Sequence, residues 1–163
     1  MLRKCLILLL LACLAGQARA QEVYHAVLES ATKILNNPTS SFTQTRIAGF
    51  KRAALLYLYD KTLYGSALDE AQKVDLLNTQ AYYLSEFLTA YQTELVQKTK
   101  KNSTKKAERL RLFIDASQSN PLWNDTDAEA TQTYVDDPNE LTPFSLDTDW
   151  QRAAAAIKAE LKD

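Results

Sequence analysis

The sequence predicts an all-α protein, an antiparallel bundle of about five helices with an acidic loop region before the C-terminal one. Three observations predict it. Past residue 20 the only glycines are Gly49 and Gly65, too few for the many turns of a sheet protein. Apolar residues recur at alternating steps of three and four, most regularly at Val74, Leu77, Ala81, Leu84, Leu88, Tyr91 and Leu95, the mark of one helix face. Helix-stopping and helix-capping residues fall between such stretches.

The first helix is expected from about Gln21 to Leu35, with Val23, Val27, Ala31 and Ile34 on its face. "NNP" ends it, because a residue before proline avoids the helical region. Hydroxyls in Thr39-Ser40-Ser41 cap a second helix that runs through Leu63. Its middle, "AALLYLY", is apolar on every side and on local pattern alone also fits a strand, but the helical spacing of Ile47, Phe50, Ala54 and Tyr57 favours a buried central helix. Gly65 suits the C-terminal cap and Ser66 the next N-cap. The short connection makes helices two and three an antiparallel hairpin. On helix three, Tyr83 and Phe87 form a stripe beside the main one, so this helix reaches two neighbours at once. A polar, basic break follows at 97–106. Helix four is expected from about Lys105 to Ser117, facing inward with Ala107, Leu110 and Ile114, and Phe113 beside them. The last helix starts at a Thr148-to-Gln151 capping box and turns Trp150, Ala153 or Ala154, Ile157 and Leu161 inward.

The N-terminus reads as a targeting segment. A basic start (Arg3, Lys4), an apolar run from Cys5 to Gly16 and the small-x-small end Ala18-Arg19-Ala20 follow in the order of a secretory signal peptide. The run is too short to cross a bilayer, which takes about 20 residues. Cleavage after Ala20 leaves residues 21–163 as a single helical domain, periplasmic or secreted. The alternative is a lipoprotein anchored through Cys13, at the end of "LLAC". Cleavage removes both cysteines and leaves 16 basic residues against 20 acidic ones, a net charge of −4. Such a chain has no disulfide, thiol nucleophile or thiolate metal site. Its acidic balance argues against nucleic acid as partner.

Catalytic constellations are scarce. His25 is the only histidine, and no G-x-S-x-G elbow accompanies it, so it reads as a surface or capping residue. Glycine-rich phosphate loops and the H-E-x-x-H pattern are missing from the sequence, so no cofactor is expected. Glu86 and Glu94 are the best pair for a carboxylate hydrolase. They lie about 12 Å apart along one helix, long for that chemistry, and read as exposed helix carboxylates.

Asp125, Asp127, Glu129 and Asp136 have the spacing of a calcium loop of the helix–loop–helix type. Ala130 stands where such a loop turns on glycine, Gln132 where it is apolar, and Asp136 is too short for a bidentate last ligand. The same residues read more simply as a cap, Asp125 or Asp127, with Glu129 in the first turn of a short helix from Asp127 to Val135. No metal is expected there.

Tyrosine is concentrated on helices two and three. Tyr59, Tyr64, Tyr82 and Tyr83, with Trp123 near the acidic loop, form a candidate partner surface. Tyrosine joins an apolar body to a polar tip and suits both core edges and recognition. Lys98, Lys100, Lys101, Lys105, Lys106, Arg109 and Arg111 form a basic run, whereas residues 115–149 hold nine acids and no base. This asymmetry suits an anionic surface, but it reads more simply as a basic loop that faces the acidic segment of the same molecule or stays solvated.

"YYLSEF", "LFIDASQSNPLWND" and "TPFSLDTDWQRAAAAIKAEL" resemble small secreted proteins of Bacteroidetes-type bacteria. The resemblance implies an exported bacterial protein and transfers no catalytic or binding residue. The expected function is a non-enzymatic interaction or binding module of the envelope, with another envelope protein as partner. Alternatives are a carboxylate-dependent hydrolase and a carrier of a small apolar or sugar ligand, the latter expected as an internal cavity between helices two and three.

Overall fold

A computed structural model describes residues 22–96, 103–123 and 144–161. The signal-peptide reading, three of the seven residues of the basic run (Lys98, Lys100 and Lys101) and the calcium-loop quartet Asp125, Asp127, Glu129 and Asp136 lie outside the described residues. The fold is the expected helical bundle, with α1 (Glu22–Leu35), α2 (Phe42–Tyr64), α3 (Glu70–Val96), α4 (Ser103–Ser119) and α5 (Trp150–Glu160), and no strand among the described residues.

Contacts between distant residues fix the topology. Tyr24 Oη at the start of α1 donates to the Leu55 carbonyl late in α2, and Lys51 on α2 reaches Ser85 on α3. Lys106 near the start of α4 donates to the Leu95 carbonyl near the end of α3. Thr148, just before α5, donates to the carbonyl of Ser117 near the end of α4. Each helix therefore runs opposite to the one before it. α3 packs against all four others, so α3 is the central helix. α2 was expected there, but its all-apolar middle is not enclosed, and Leu56 is 42% exposed.

The core is built around aromatic rings in edge-to-face contact. Phe87 of α3 meets Phe113, Phe144 and Trp150, with centroids 5.3, 5.3 and 5.4 Å away. Tyr91 meets Phe113 and Phe144, and Phe50 meets Phe144 and Trp150. Leu77, Ala81, Leu84, Leu88 and Tyr91 are buried as their spacing predicts.

Other faces are rotated from expectation. On α1 the buried residues are Tyr24 and Ala31, whereas Val23 is exposed. Tyr24 wins because its hydroxyl finds a buried carbonyl and its ring stacks on Tyr59. Burial first, then the neighbouring Tyr59 and Asp60, push its hydroxyl pKa up to about 12. On α4 the inward residues are Phe113, Ala116 and Ser117, with Ala107 exposed.

Caps also shift. Ser41 caps α2 as expected and, beyond that expectation, closes a capping box with Gln44. Gly65 ends α2 without a left-handed backbone (φ −105°). Glycine is needed there because a Cβ would sit 2.9 Å from the Lys61 carbonyl oxygen. Ser66 donates back to the Thr62 carbonyl instead of capping α3. Asp69 does so, exchanging hydrogen bonds with Gln72. Before α5 the cap is Asp149 rather than Thr148. Thr148 is buried and donates to the Ser117 and Ser145 carbonyls.

The start of α5 is tied down by buried polar side chains. Asp147 accepts from the backbone N–H of Leu122 and Trp123, at 3.1 and 2.9 Å. Leaving donors without partners costs about 1–3 kcal/mol. Asp147→Ala should lose that much in urea denaturation, and Asp147→Asn, which keeps an acceptor, should lose less. A loss under about 0.3 kcal/mol for both would mean that water replaces the carboxylate.

Candidate functional site

α3 and α5 run in the same direction and leave a groove of about 580 Å³ between their outer faces. α3 contributes Tyr82, Tyr83, Glu86 and Ala90; α5 contributes Ala154, Ala155, Lys158 and Leu161. The buried Phe87 and Ile157 close its base. The groove follows from the run Ala153-Ala154-Ala155-Ala156. Ala153 packs into the core, and the small side chains after it leave room beside Tyr83 that larger ones would fill.

Tyr82 is 51% exposed, and its ring stands edge-on to Tyr83 at 5.2 Å. Glu86 lies on the α3 wall and Lys158 on the α5 wall. Neither forms an ion pair with another described residue. The arrangement offers aromatic surface, a shallow apolar floor and one charge of each sign, which is equipment for recognition.

The candidate surface residues scatter. Tyr82 and Tyr83 line the groove. Tyr59 is half-buried against Tyr24. Tyr64 is 85% exposed at the end of α2. Trp123 is half-buried, its backbone held by Asp147. Sequence reasoning missed the α5 wall. The signal was the alanine run, which reads only as permission for close helix approach until its neighbour is known.

The two glutamates do not share a cleft. Glu86 lines the groove, whereas Glu94 was expected exposed but is buried, with Arg109 Nη2 2.9 Å from its Oε1. The 80° of helical rotation between positions 86 and 94 explains this: eight residues make about two and a quarter turns. His25 is exposed and stands edge-on to Tyr24. Among the described residues no three or more His, Cys, Asp or Glu side chains gather as a metal site.

One further polar pair crosses the bundle. Lys51 Nζ lies 3.2 Å from Ser85 Oγ, and burial pulls the lysine pKa below its ordinary value. Serine–lysine chemistry also needs N–H donors aimed at a developing oxyanion. Both residues sit in helix interiors, where the backbone N–H groups are used within the helix. The pair therefore ties α2 to α3.

The described residues contain no helix long and apolar enough to cross a membrane. No protein-family model, curated protein or solved structure matches the chain.

Proposed function

We propose that the chain is an exported bacterial protein that works without catalysis, as an interaction module of the envelope. In this reading the α3–α5 groove receives an amphipathic helix from another envelope protein. The observation that carries it is the Tyr82–Tyr83 pair facing an alanine wall, with Glu86 and Lys158 on opposite sides and without ion-pair partners among the described residues. Tyrosine gives large contact area and a hydrogen-bonding tip. A helix laid in a groove needs an apolar stripe flanked by charges, and here the flanking charges would answer Glu86 and Lys158. The N-terminal pattern of basic, apolar and small residues supports export. Pairing of Glu94 with Arg109 weighs against a two-carboxylate hydrolase.

A second reading, carriage of a small apolar or sugar ligand, rests on the groove volume, which lies in the range of about 300–1,000 Å³ common for ligand sites, although the groove lies between α3 and α5 rather than in the expected internal cavity lined by α2 and α3. One experiment separates the two. A photoreactive p-benzoylphenylalanine in place of Ala155 should give one discrete protein adduct on irradiation in envelope extract. Tyr82→Ala with Tyr83→Ala should abolish it, and the same group in place of the exposed Ala107 should give none. Adducts with lipid or saccharide alone would transfer support to the carrier. Equal labelling from both positions would overturn the groove as the site.

A further inference from the structure

We infer that the end of the bundle where α2 begins and α3 finishes docks on the surface of an anionic phospholipid bilayer. The inference is independent of the groove. It rests on what the antiparallel topology collects at that end.

Two large apolar side chains stand in solvent there, Phe42 at 68% and Val96 at 60% exposure. The Lys51–Ser85 contact sets the register of α2 on α3. Phe42 lies nine residues before Lys51 and Val96 eleven after Ser85, so both project at the same end. Cations surround them. The Arg46 guanidinium sits 5.1 Å from the Phe42 ring centroid. Lys105 is exposed, and Lys106 reaches the Leu95 carbonyl at the end of α3.

Acids at this end are few and mostly answered. From Ser30 to Tyr59 the sequence has four basic residues and no acidic one. Glu29 is paired with Lys33 and Glu94 with Arg109, which leaves Glu108 and, at the end of α5, Glu160 as the exposed exceptions. At the opposite end lie Glu22, Asp60, Asp69, Glu70, Asp147 and Asp149, with Glu70 paired to Lys73, against the three bases Lys61, Lys73 and Arg152. The charge is thus polarised along the bundle. α3 has 27 residues, which makes it about 40 Å long, whereas screening at 0.1 M salt acts over about 10 Å. A surface touching the Phe42 end therefore feels its cations and not the distant acids, although the chain is acidic overall.

The combination selects lipid over a purely charged polyanion. Cations are drawn to anionic headgroups, each worth about a fivefold gain in partitioning. Phe42 and Val96 can then enter the headgroup–acyl boundary, where a nucleic acid or acidic glycan offers them nothing.

The test is co-sedimentation of residues 21–163, which carry every packing contact described above, with vesicles of phosphatidylglycerol and phosphatidylcholine, and with phosphatidylcholine alone, in 0.1 M NaCl. Binding is expected to the anionic vesicles only. Lys105→Glu reverses one charge and should lower partitioning about 30-fold. Phe42→Ser with Val96→Ser should lower it about tenfold without changing net charge. All three side chains are exposed, so the variants should melt like the parent. Failure to bind anionic vesicles, or equal binding to neutral ones, overturns the inference. So does anionic binding that survives Phe42→Ser with Val96→Ser, since that would be attraction to charge alone.

Discussion

Trp150→Ala should destabilise the protein by about 3–5 kcal/mol, the upper range for removal of a buried aromatic ring. Trp150 is fully buried. Its ring meets Phe50 and Phe87 edge-on at 5.9 and 5.4 Å, so its loss opens a void at the junction of α2, α3 and α5. The backbone is held as firmly as the ring. The Trp150 N–H donates to Gln80 Oε1 at 2.7 Å, and Gln80 Nε2 donates to Asp149 Oδ1 at 3.0 Å. One buried side chain of α3 thus binds both the cap and the first residue of α5. Gln80→Ala should therefore weaken the same junction by about 1–3 kcal/mol, since it leaves a buried donor unpaired. Removal of residues 146–163 should bare the aromatic cluster and make the protein bind a hydrophobic dye. Equilibrium urea denaturation and dye fluorescence check these results. A deleted chain that melts like the parent would show that α5 contributes nothing to the core.

Leu84→Ala and Leu88→Ala should each lose about 2–5 kcal/mol, the range for deleting a buried leucine side chain. Both are fully buried on α3, the helix that every other helix touches, so neighbours on several sides would have to move to refill the space. Tyr82→Ala, on the same helix but half exposed, should lose far less and provides the contrast. A loss under about 0.5 kcal/mol at Leu84 or Leu88 in denaturant melts would show that α3 is not the centre of the bundle.

Much of the fold was legible because it rests on local pattern. The three-and-four spacing of Leu77, Ala81, Leu84, Leu88 and Tyr91 states one face of α3 without reference to any neighbour. The hydroxyl cap at Ser41 and the stop at Pro38 are likewise decided within a turn of chain. Errors arose where one local signal met a competitor. Thr148 looked like a cap and Asp149 became one, because the Ser117 carbonyl claimed the threonine hydroxyl. Ser66 lost the start of α3 to Asp69, whose Gln72 reciprocates.

The candidate sites were less legible. Tyr82 and Tyr83 stood out by residue type, but their groove exists only because α5 lies beside them with alanines in its wall. Glu94 read as a solvent carboxylate, since only the docking of α4 supplies Arg109 and closes water out. Phe42 and Val96 are 54 positions apart in sequence and meet at one end through chain reversal alone. By itself, then, the sequence determined helix content, helix order and the inward face of α3, because hydrogen bonding and hydrophobic periodicity within a helix act over a few residues. Tertiary structure decided which helix is central, which charges are paired and which apolar residues stay in water. Those outcomes depend on groups brought together from distant parts of the chain, and the free energy of burial or pairing is defined only once both partners are in place.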